Sequence, residues 1–163
     1  MFGQRRIKYS VDAPLLKALP MHALIIEDES AVANVIEDVL REYGFTSFDV
    51  APSAYSAIIA AALRRPDIIT SDVRLKSGCG IATVETISEG SGIPTVFITG
   101  HVPEVLKRLP GYRVIDKPFT VRTLSAAVAS AMLEVTDDQV PSARSAKAGT
   151  PGGSATGRNR NVR

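Results

Sequence analysis

Five short apolar runs, separated by segments of helical periodicity, constrain this chain more than any other feature. They are His22–Ile26, Phe48–Ala51, Asp67–Ser71, Thr95–Ile98 and Arg113–Asp116, each of four or five residues. Runs of that length, rich in branched aliphatics and bounded by turn residues, read as strands buried on both faces. Strands that alternate with helices must be joined by right-handed crossovers, which forces a parallel sheet. In an open sheet of this kind all strand C-termini face one crevice, where ligands bind.

The intervening segments carry helix start and stop signals. Ser30 is placed to cap a helix from Ala31 to about Tyr43, with Val32, Val35, Ile36, Val39, Leu40 and Tyr43 on one face and Gly44 as its stop. Ser53 caps an alanine-rich helix that halts before Pro66. The loop Lys76–Gly80 leads into a helix near Ile81–Glu89. Pro103 to Leu109 leaves room for only a short fourth helix, closed by Pro110 and Gly111. Thr120 caps the last, roughly Val121–Val135, with Leu124, Val128, Ala131, Met132 and Val135 toward the sheet. The expectation is an α/β fold of flavodoxin-like (βα)5 type: a three-layer sandwich, strand order 2-1-3-4-5, with a shortened fourth helix. Its switch point lies between strands 1 and 3.

Chemistry-bearing residues stand at the strand ends, in order. Glu27, Asp28 and Glu29 follow the first run, Asp72 the third, Thr99 the fourth and Lys117 the fifth. Adjacent carboxylates repel one another and lose solvation, costs that a hard divalent cation relieves. Asp28 is expected as a direct ligand and Glu27 as acting through water. Asp72 is a candidate nucleophile, since a carboxylate can attack phosphorus and form an acyl phosphate. Thr99 offers a hydroxyl, and Lys117 a compact positive charge, to phosphoryl oxygens. Each residue also has an ordinary structural role, as an acid at a helix N-terminus, a turn cap or a surface lysine. The ordered conjunction is the signal.

That conjunction resembles the receiver domain of response regulators. The resemblance runs from about His22 to Val135 and rests on LIIEDE (24–29), Ser71-Asp72-Val73, Phe97-Ile98-Thr99-Gly100 and Asp116-Lys117-Pro118-Phe119. The stretch FITGHV is similar to a single-domain receiver subgroup named for its Phe-Ala-Thr-Gly-hydrophobic-Tyr motif. It is also similar to the receiver of alphaproteobacterial general stress response regulators. The resemblance implies that Asp72 is the phosphoacceptor, assisted by Thr99 and Lys117. It further implies that Mg²⁺ is held by Glu27, Asp28, Asp72 and the backbone carbonyl of Arg74, and that the Lys117–Pro118 bond is cis. The implied partners are a sensor histidine kinase or phosphotransfer protein and an unknown downstream protein. Arg74 and His101 occupy positions that tune dephosphorylation, and their size points to slow hydrolysis. Where many receivers place an aromatic switch residue, this chain has Val114, and Tyr112 falls two residues earlier. Reorganisation of the segment 100–112 is expected instead.

Composition limits the rest. Residues 1–20 and 137–163 each carry net charge +3, while 21–136 carry −4. These divide the chain into an N-terminal extension, a receiver domain over 21–136 and a basic tail expected to be disordered. Basic tails without interleaved aromatics are read as solvated ends, so no nucleic acid is expected as partner. The most apolar stretch, Ala57–Leu63, has seven residues against the roughly 20 of a spanning helix, so no membrane partner is expected and the setting is read as cytoplasmic. A lone cysteine, Cys79, excludes a disulfide framework. The expected function is a single-domain response regulator, a monomer or weak dimer, that is no enzyme in its own right. It acts by protein contact or as a phosphoryl shuttle or sink. Alternatives are an adaptor that works unphosphorylated, a basic-tailed nucleic-acid binder and a small aspartyl-phosphate hydrolase. Arg74 counts against the hydrolase, because it stands where such an enzyme needs a second acid.

Overall fold

The computed structural model describes residues 20–89 and 91–137; most of the expected extension (1–20) and tail (137–163) lies outside them. Five strands form one parallel sheet, β1 (His22–Ile26), β2 (Ser47–Ala51), β3 (Ile68–Ser71), β4 (Thr95–Thr99) and β5 (Arg113–Asp116), in the order β2-β1-β3-β4-β5. The helices are α1 (Ser30–Tyr43), α2 (Ala54–Leu63), α3 (Gly80–Ser88), α4 (Val102–Arg108) and α5 (Val121–Asp137). Order, parallelism and the short fourth helix match the sequence expectation.

Side chains alternate across the sheet. Ala23 and Ile25 of β1, with Val96 and Ile98 of β4, pack against Ile36 and Leu40 of α1 and Leu124 and Val128 of α5. Leu24, Ile26 and Phe97 point the other way, onto Ala57 of α2, Ile81 and Val84 of α3 and Val105 of α4. β1, β3 and β4 are buried throughout. Each fully buried Leu, Ile or Phe there contributes about 1.5–3 kcal/mol of transfer free energy.

Local signals explain the element ends. Gly44 takes φ +118°, and its N–H and that of Phe45 donate to carbonyls of the last turn of α1, a left-handed stop for which a side chain is strained. Ser53 and Ser56 form a reciprocal capping box at α2. Thr120 accepts from the Thr123 N–H ahead of α5. One cap differs from the sequence reading. Ser30 is already helical and Glu29 is the N-cap. The Glu29 N–H donates to the Glu27 carboxylate, and no side chain caps the first turn of α1. The apolar face of α1 also sits rotated from expectation: Ala33 is buried while Val35 and Tyr43 are exposed. Ala33, Ile36 and Leu40 lie nearest the sheet, and Val35 falls on the shoulder of the stripe. Val135 lies in α5, but its side chain is outside those described.

Candidate functional site

Register brings the acids together. Ile26 of β1 is paired with Ser71 of β3, so Glu27 and Asp72 leave adjacent strands at the same level. The Asp72 N–H donates to the Ile26 carbonyl at 2.9 Å, and the Glu27 N–H to Ala51 at 3.1 Å. Thr99 ends β4 beside Asp116 of β5, and the Lys117 N–H donates to the Thr99 carbonyl at 3.2 Å. The Lys117–Pro118 bond is cis, as expected. Thus Glu27, Asp28, Asp72, Thr99 and Lys117 all stand on the C-terminal edge of the sheet around the β1/β3 switch point.

The Lys117 ammonium joins the acids. Its Nζ donates to Asp72 Oδ2 at 2.7 Å and to Glu27 Oε2 at 2.8 Å. Glu27 is only 2% exposed. Burial pushes its carboxyl above the usual range, although hydrogen bonds from Lys117 and the Glu29 N–H pull against that shift. Burial works against the Lys117 ammonium too, but its hydrogen bonds to Asp72 and Glu27 prevail and hold its pKa above the ordinary lysine value. The sequence reading gave Glu27 a role through water and aimed Lys117 at phosphate. The direct Glu27–Lys117 contact was not visible in it, because it joins residues ninety positions apart.

The loop after β3 completes the site. The Arg74 N–H donates to Asp72 Oδ1 at 3.2 Å, and the Lys76 N–H to Asp28 Oδ2 at 2.8 Å. Arg74 forms an isolated antiparallel bridge with Cys79, and the Gly80 N–H donates to the Val73 carbonyl at 3.0 Å. A Cβ on Gly80 would sit 1.7 Å from the Asp72 carbonyl oxygen, so only glycine lets the loop close this tightly beneath Asp72. That requirement was missed from sequence, although the Gly78-Cys79-Gly80 cluster carried it. The Arg74 side chain turns away and donates to Glu104 of α4 at 3.2 Å. The Thr99 hydroxyl is fully buried and accepts the His101 N–H at 3.2 Å, while the His101 side chain is exposed. Tyr112 packs its ring on Phe97, centroids 5.8 Å apart, and it and Val114 both border the α3-side core.

Among the described residues no group of three or more His, Cys, Asp or Glu side chains is arranged to hold a metal ion by itself. The donor set nevertheless suits one cation class. Glu27, Asp28 and Asp72 offer only oxygen, which excludes soft metals and fits Mg²⁺, an ion that fills its octahedron with water, carbonyl and phosphate oxygens. Among the described residues no helix is long and apolar enough to cross a membrane.

Known proteins share this fold. The family described as response regulator receiver domain matches residues 23–129. The phyllosphere-induced regulator PhyR of Methylorubrum extorquens is 33% identical over 116 residues, 67% of this chain and 42% of that protein. The transcriptional regulatory protein YvrH of Bacillus subtilis is 32% identical over 110 residues, 64% of this chain and 46% of that protein. The chain therefore spans less than half the length of these two curated relatives. Among solved structures, the PhyR receiver domain of Erythrobacter litoralis superimposes with TM-score 0.62 at 28% identity, covering 70% of this chain and 91% of that one. A variant of the anti-anti-sigma factor PhyR of Bartonella quintana gives 0.64 at 25% identity, covering 74% and 51%. Fold and relatives converge: the chain belongs to the response regulator receiver domain family of two-component signalling and resembles the receivers of general stress response regulators.

Proposed function

We propose that residues 21–136 are a phospho-accepting receiver and that Asp72 is its phosphoacceptor. The observation that carries this reading is the Lys117 ammonium, held within 2.8 Å of both Asp72 and Glu27 at the switch point of the sheet. A carboxylate oxygen of Asp72 attacks the phosphorus of a phosphohistidine. The P–N bond breaks, its electron pair returns to the imidazole, which takes up a proton, and an acyl phosphate forms on Asp72. Lys117 places positive charge where the oxygens of the transferred group arrive, and Thr99 lies within the same crevice to donate its hydroxyl. Glu27, Asp28, Asp72 and the Arg74 carbonyl are the residues that would hold Mg²⁺, which would supply charge neutralisation for the transfer. The phosphoryl donor is a sensor histidine kinase or phosphotransfer protein in a cytoplasmic setting. Output passes through protein contact, with an anti-sigma or sigma-linked protein suggested by the name of the Bartonella relative. The protein acts through that contact, or as a shuttle or sink in a phosphorelay, and performs no turnover beyond losing its own phosphate.

The test is phosphorylation by acetyl phosphate, read by intact mass. Wild type is expected to gain one phosphate only with Mg²⁺, and Asp72→Asn none. An adduct that forms equally well on Asp72→Asn, or no adduct from acetyl phosphate and a panel of phosphorylated kinases, sinks the proposal.

A further inference from the structure

Among the helices of the described residues, α2 alone carries no charged residue, from Ala54 to Leu63. Only Ala57 of it is buried, yet Tyr55 is 76% exposed, Ile58 38%, Ile59 41% and Leu63 83%. With exposed Ala62 these residues lie three and four apart, the spacing of a seam that packs on another helix. The stripe ends at Arg64 and Arg65, both exposed. Apolar patches rimmed by polar groups mark protein contact sites.

We propose that this stripe is a reversible homodimer contact, in which α2 of one copy packs antiparallel on α2 of a second copy across a two-fold axis near Ile59. Charge selects the occupant. Residues 1–20 and 137–163 each carry net +3, the sign of the arginine rim, and are repelled from it. An antiparallel second copy keeps the two arginine pairs at opposite ends and opposes the helix dipoles. It also sets the large Tyr55 of one copy beside the small Ala62 of the other, large against small as packing requires. A groove of about 320 Å³ between α2 and α3, walled there by Ala62, Ile87 and Ile93, opens at that point. Arg65 and Ser91 on its edge offer polar partners for the incoming phenol. A single helix stripe offers less area than the roughly 800 Å² per partner of a standard stable interface, so association depends on concentration.

Sedimentation velocity of the unphosphorylated full chain, from micromolar to millimolar concentration, decides the matter. Wild type is expected to rise from 17.4 kDa toward twice that mass. Leu63→Glu and Ile59→Glu, both at exposed positions, each weaken association by at least about tenfold. Leu106→Glu, on exposed α4, leaves it unchanged. In a Cys79→Ser background, Ile59→Cys forms a disulfide-linked dimer under mild oxidation. A wild type that stays monomeric at millimolar concentration overturns the proposal. So does a dimer that ignores both α2 glutamates or responds equally to Leu106→Glu. Absence of the Ile59→Cys cross-link overturns the two-fold arrangement.

Discussion

Lys117 holds two buried carboxylates at once, and removing it leaves both without their counter-charge. Lys117→Met is expected to lose roughly 1–3 kcal/mol at neutral pH, the range for a partly water-accessible broken pair. Chemical denaturation measures it. Because the Lys117 pKa is raised from 10.5, its contribution is complete below that value and is lost as pH climbs through the higher folded pKa. The gap between wild type and Lys117→Met should therefore be present at neutral pH and close in strong alkali. Glu27 is also raised, from 4.5. Folding takes up a proton there, so stability from this group is greatest below 4.5 and falls as pH rises through its folded pKa. A gap between the two proteins that persists unchanged into strong alkali contradicts the assignment. Gly80 is a second residue-scale test. Gly80→Ala puts a Cβ 1.7 Å from the Asp72 carbonyl oxygen and 2.6 Å from Ser71 Oγ. The loop must shift, at about 1–3 kcal/mol, and acetyl phosphate labelling of Asp72 slows; an alanine variant with unchanged melting and labelling rate refutes this.

At the scale of elements, α4 is short and thinly attached to the sheet. It has seven residues and one fully buried side chain, Val105. Its other ties are the ion pairs Arg74–Glu104 at 3.2 Å and Arg108–Glu85 at 2.6 Å, both exposed and worth little each. Elements with few buried contacts open locally and are where conformational change concentrates. One of those ties begins at Arg74, whose N–H holds Asp72, so Arg74 links the chemistry at Asp72 to α4. Hydrogen exchange in the segment 100–112 is expected to change on phosphorylation, or with a beryllofluoride mimic, while α5 stays as it was. Equal exchange in both states refutes a role for α4. The short α4 was legible in the spacing of Thr99, Pro103, Pro110 and Lys117. Its attachment to Arg74 was not, because two exposed side chains thirty residues apart leave no pattern in the chain.

For the whole molecule, the receiver site and the α2 stripe lie on different parts of the fold. The acids and Lys117 crown the strand ends, whereas Ile59 and Leu63 lie along a flank. Phosphorylation and dimerisation are therefore expected to be separable: Leu63→Glu should take phosphate from acetyl phosphate at the wild-type rate while failing to dimerise. Intact mass and sedimentation on the same sample check it, and loss of labelling in that variant contradicts the separation.

The sequence by itself determined the alternation of strands and helices, the parallel sheet and the residue types at each strand end. These follow from periodicity, caps and turn residues, which act over a few positions. It also marked Asp72, Thr99 and Lys117, because strand ends in a parallel sheet share one crevice. Only the tertiary structure decided which acid meets Lys117, how closely Gly80 lies beneath Asp72 and that α2 turns its apolar stripe to water. Those outcomes depend on side chains brought together from distant positions, and on which face of an evenly apolar helix happens to meet the sheet. No local pattern specifies either.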